Sequence, residues 1–60
     1  MKLSELLKLL KSNGNELYRH GTNHDIWINP ETGKQFPVPR HAKEIAAGTA
    51  NSILKDAGLK

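Results

Sequence analysis

Three histidines, His20, His24 and His41, are the side chains in this sequence whose type exchanges protons near neutral pH. An imidazole within reach of a hydroxyl or a leaving oxygen acts as general base or general acid. No cysteine accompanies them, which removes thiol nucleophiles, disulfides and thiolate-bound zinc. His20 and His24 are four residues apart, a spacing that suits a metal pair on a helix. Gly21 lies between them in turn-forming company, however, and that argues against a metal site. The sequence also lacks a P-loop, a dinucleotide-binding glycine pattern and a paired-carboxylate signature.

His24 stands out because a turn meets a strand there, an arrangement that exposes a side chain while holding its backbone. Asp25 is its neighbour, but adjacent strand residues point to opposite faces, so the two are not expected to pair. His20 closes the preceding strand, facing His24 or turned away from it. Lys34, Arg40, His41 and Lys43 gather around the next hairpin as cations suited to neutralising phosphates. Their alternative reading is an ordinary solvated face. The net charge of +3, from nine Lys/Arg and six Asp/Glu, is compatible with a polyanion partner without establishing one. Lys8, Lys11, Lys55 and Lys60 read as solvated helix faces. Trp27 is able to stack on a base, but between Ile26 and Ile28 it reads first as core.

The elements that must position these groups are short. Over residues 2–12, Leu3, Leu6, Leu7 and Leu10 recur at helical spacing, with Ser4 as the expected N-cap and Asn13-Gly14 as the stop. Residues 15–20 read as a strand, Gly21-Thr22-Asn23 as a turn, and residues 24–29 as a second strand rich in β-branched and aromatic types. Asn29-Pro30-Glu31-Thr32-Gly33 is turn chemistry, with Gly33 at positive φ, so the flanking strands are expected to form an antiparallel hairpin. Residues 34–39 form the third strand. Pro37 and Pro39 cannot donate to a ladder, which makes it an edge strand. A charged connector over 40–48 leads to a closing helix with Thr49 as N-cap, Ala50, Ile53, Leu54 and Ala57 as its apolar stripe, and Gly58 as its stop.

Sixty residues with 37% apolar content and three aromatics support one small domain, 1–60, and no deep substrate cavity. The start Met1-Lys2-Leu3 resembles a leader, but Glu5, Lys8 and Lys11 interrupt the apolar run and no small-residue cleavage site follows. No stretch approaches membrane-spanning length, so the expectation is a cytoplasmic protein that does not engage a membrane.

The order helix, three strands, helix, taken with GTNHDIW, the PETGK turn, FPVPRH and GTANSILKDAGL, resembles the HicA family of mRNA-cleaving toxins. The resemblance covers nearly the whole chain, and its specificity lies in the order and spacing of these segments. It implies an α+β fold like the double-stranded-RNA-binding domain, αβββα, with two helices on one face of a three-stranded antiparallel sheet. It also implies a metal-independent endoribonuclease with no cofactor, acting on mRNA and neutralised by a HicB-type antitoxin. The family's catalytic histidine falls on His24. Asn23 stands where many relatives carry another histidine, so no catalytic role is carried to it.

RNA cleavage without a metal needs one group to take the 2′-hydroxyl proton and one to protonate the leaving 5′-oxygen. His24 supplies one such group; His20 and His41 are candidates for the second by residue type alone. Two readings compete with a nuclease. The same fold serves as a non-catalytic double-stranded-RNA-binding module, and a small interaction domain would carry its charge incidentally.

Overall fold

The computed structural model describes residues 1–60. Its elements are α1 (Leu3–Ser12), β1 (Glu16–His20), β2 (His24–Asn29), β3 (Lys34–Pro39) and α2 (Ala47–Asp56). The three strands form one antiparallel sheet in the order β1-β2-β3, so β3 is an edge strand as its prolines require. The αβββα arrangement is that of the double-stranded-RNA-binding-domain-like α+β class.

The helix starts differ from expectation. Ser4 and Thr49 lie inside their helices, whose N-caps are Lys2 and Ala46, and neither cap makes a side-chain bond. At α1 a tertiary partner replaces the side-chain cap. The Leu3 N–H donates to the Lys43 carbonyl at 3.0 Å and the Ile45 N–H to the Met1 carbonyl at 2.7 Å. This pairing ties down the connector, which ends at residue 46 rather than 48. The helix ends follow the glycines closely. Gly14 and Gly58 both sit at φ +84°. Each closes a doubly bonded C-terminal turn, Asn15 N–H to Leu10 carbonyl in one and Leu59 N–H to Leu54 carbonyl in the other.

Alternation along the strands sends Trp27, Phe36 and Val38 to the face that the helices cover. There they join Leu6 and Leu10 of α1 and Ala50, Ile53 and Leu54 of α2, with Ile45 and Ala57, in one core. Trp27 is 5% exposed, which places it in the core. Asn15 and Asn29 are the buried polar side chains, and Asn29 links two elements. Its Nδ2 donates to the Ala57 carbonyl at 3.0 Å, and its Oδ1 accepts from the Glu31 N–H at 2.9 Å. One side chain thus shapes the β2–β3 turn and joins it to the end of α2.

Candidate functional site

His24 opens β2 with its side chain exposed, and its backbone is held from two directions. The Gly21 N–H donates to the His24 carbonyl at 2.8 Å. A Cβ on Gly21 would lie 2.3 Å from that same oxygen, so only glycine fits this turn without displacing His24. The second hold is Arg40, just past the end of β3. Its Nη2 donates to the carbonyls of Gly21 at 2.7 Å and Thr22 at 2.8 Å, while Nη1 donates to Asp25 Oδ1 at 3.3 Å. The planar guanidinium fork suits this multiple attachment, which an ammonium would not reproduce. Arg40 Nε is buried without a partner, so the group is partly withdrawn from water.

Asp25 also takes His20, whose Nδ1 lies 2.8 Å from Asp25 Oδ1. The register pairs His20 with Asp25 across β1 and β2, which puts both on one sheet face. His24 precedes Asp25 in the strand and points to the other face. His20 therefore turns away from His24, and His24 and Asp25 do not pair, as alternation requires. A bulge between Leu17 and Arg19 lets β1 reach this register.

The four cations around the hairpin separate. Lys34 stands at the far end of β3 from Arg40, roughly 20 Å along the strand, and its Nζ pairs with Asp56 Oδ1 at 2.9 Å. Arg40 holds the turn. His41 and Lys43 are exposed on the connector. No three His, Cys, Asp or Glu side chains converge as a metal-binding group.

His24 also lines a cleft of about 350 Å³ between β3 and α2. Pro37 and Pro39 form one wall; Gly48, Thr49, Ser52, Ile53 and Asp56 form the other. Sequence reasoning placed Thr49 at a helix cap and gave Ser52 no role. Helical periodicity does set Thr49 and Ser52 on one face, three residues apart, but the facing strand is not visible from that spacing.

The family described as HicA toxin of bacterial toxin-antitoxin matches residues 3–59. The chain belongs to the HicA toxin family. Membership makes it a toxin of a toxin–antitoxin system, with an antitoxin as counterpart. No curated protein matches it. No helix of this HicA toxin is long and apolar enough to cross a membrane. The glycine of the toxin's GTNH segment gains a specific physical role here, since its missing side chain admits the His24 carbonyl.

Proposed function

We propose that this toxin is a metal-independent endoribonuclease that cuts mRNA, with His24 as its proton-transfer group and a HicB-type antitoxin as its restraint. The observation that carries this reading is the combination at His24: an exposed imidazole on a pinned backbone, beside a cleft. Strand cleavage requires the 2′-oxygen to attack the adjacent phosphorus as its proton departs. The P–O5′ bond breaks, and the 5′-oxygen takes up a proton. A 2′,3′-cyclic phosphate and a free 5′-hydroxyl result. His24 handles one of these protons; His20 faces across the sheet towards Asp25, which leaves water or the exposed His41 to carry the other.

In this reading Arg40 is a positioning residue, and the exposed His41 and Lys43 meet the RNA backbone. Lys34 is held by Asp56 and adds to the field at the other end of β3. The test is His24→Gln, which keeps size and hydrogen bonding but transfers no proton near neutral pH. With labelled single-stranded RNA and EDTA present, the rate should fall by about 10²–10⁴. A folded variant cutting at wild-type speed would overturn the assignment and favour the non-catalytic RNA-binding module.

A further inference from the structure

We infer that the cleft between β3 and α2 is a subsite for one unpaired ribonucleotide, read through its ribose hydroxyl. The inference rests on His24 as the proton-transfer group, since His24 stands in the lining of this cleft. Both walls carry groups suited to such a ligand, and the one carboxylate in the lining, Asp56, is paired with Lys34 at 2.9 Å. On the strand side, β3 pairs with β2 alone, and its proline nitrogens at 37 and 39 carry no hydrogen. In an antiparallel strand the N and C=O of one residue point to the same edge, so the carbonyls of Pro37 and Pro39 face outward as acceptors. An edge with acceptors and no donors at those positions supplies only half of the ladder that strand addition by a peptide needs. It remains open to hydroxyl donors. A ribose 2′-hydroxyl is such a donor, and it is the group by which a protein distinguishes RNA from DNA.

On the helix side, Thr49 and Ser52 are exposed and line the same space, adding hydroxyls that donate or accept. The proline rings offer flat apolar faces for a sugar or a base. A volume near 350 Å³ lies at the small end of ligand clefts, about 300–1,000 Å³. That admits one unstacked nucleotide, whereas the bases of a duplex stay stacked inside it. A nucleotide seated here would bring its backbone past His24, so the cleft would select unpaired segments of a transcript for cutting.

Gly48 provides a clean way to close the cleft. It lies in the first turn of α2, and a Cβ there meets no atom within 4 Å. Gly48→Phe should therefore fill the cleft while leaving the fold intact, since glycine is the weakest helix former after proline. Cleavage of single-stranded RNA by this variant should fall at least about ten-fold, without a lower melting temperature. Binding is followed separately by amide NMR shifts of the His24→Gln protein. A short single-stranded RNA should shift Gly48, Thr49 and Ser52; the same sequence as DNA should bind several-fold more weakly, and a blunt RNA duplex should leave these amides unmoved.

Equal affinity for RNA and DNA would overturn ribose recognition. RNA-induced shifts confined to α1 or the outer sheet face would overturn the location. If Gly48→Phe cuts normally while His24→Gln does not, the cleft assignment fails and the catalytic reading stands. If His24→Gln cuts normally while the cleft amides still shift, the converse holds.

Discussion

The missing side chain of Gly21 and the carbonyl of His24 occupy the same space: a Cβ would sit 2.3 Å from the oxygen that accepts the Gly21 N–H. Gly21→Ala must therefore push the start of β2 away. The expected cost is about 1–3 kcal/mol, the range for overpacking a tight site. Because the displaced segment carries His24, cleavage should fall further than stability alone explains. Thermal melts and cleavage rates on the same samples check this. An alanine variant that melts and cuts like the parent would show that the turn yields freely.

Arg40 holds the other side of that turn through two carbonyls and Asp25. Arg40→Ala should lower kcat by about ten-fold or more, in line with the sensitivity of catalysis to small misplacements. Arg40→Lys should recover little of that loss, because an ammonium keeps the charge but not the fork. Added guanidinium should partly restore the alanine variant and leave His24→Gln unaffected. If instead lysine restores full activity and alanine only flattens the salt dependence of RNA binding, Arg40 is a phosphate contact.

These two relationships differ in how legible they were. Gly21 was readable as a turn residue from its neighbours, and both β2 and β3 begin and end where alternation and turn chemistry put them. Leu6 and Leu10 of α1 and the apolar stripe of α2 entered the core as spaced, with Leu3 and Leu7 partly buried against it. Arg40 was readable only as a cation, because its partners lie 15 to 19 residues away and nothing local announces them. The helix starts were misplaced for a related reason. Ser4 and Thr49 have the right chemistry for caps, but at α1 a carbonyl from residue 43 meets the first amide instead. The β3–α2 cleft likewise joins segments whose proximity is a tertiary fact.

Asn29 gives a stability prediction independent of catalysis. Its amide donates to Ala57 in the buried interior, and its oxygen shapes the half-buried hairpin turn. Asn29→Ala should cost about 1–3 kcal/mol, because the buried carbonyl at the end of α2 loses its partner. Asn29→Asp should cost more at neutral pH, since it places a carboxylate against that carbonyl and against the negative end of the helix. A 60-residue domain has only about 3–9 kcal/mol in total, so both changes should be plain in urea or thermal unfolding. Equal stability of the aspartate variant and the parent would mean that the donor to Ala57 contributes nothing.

The antitoxin's footprint can be bounded by area. The toxin exposes 4030 Å² in all, and a stable protein complex of standard size covers about 800 Å² on each partner, roughly a fifth of this surface. On the proposed function, the direct way to silence the toxin is for that fifth to deny RNA access to His24 or to the cleft beside it. Hydrogen exchange on the complex should therefore show added protection over residues 21–25 and 48–52. Those segments hold the turn, His24 and the helical wall of the cleft. His24→Gln should bind the antitoxin with nearly the parent affinity, since the substitution keeps the surface and removes only proton transfer. Protection restricted to the outer side of α1, with residues 21–25 exchanging as in the free toxin, would mean restraint by another route.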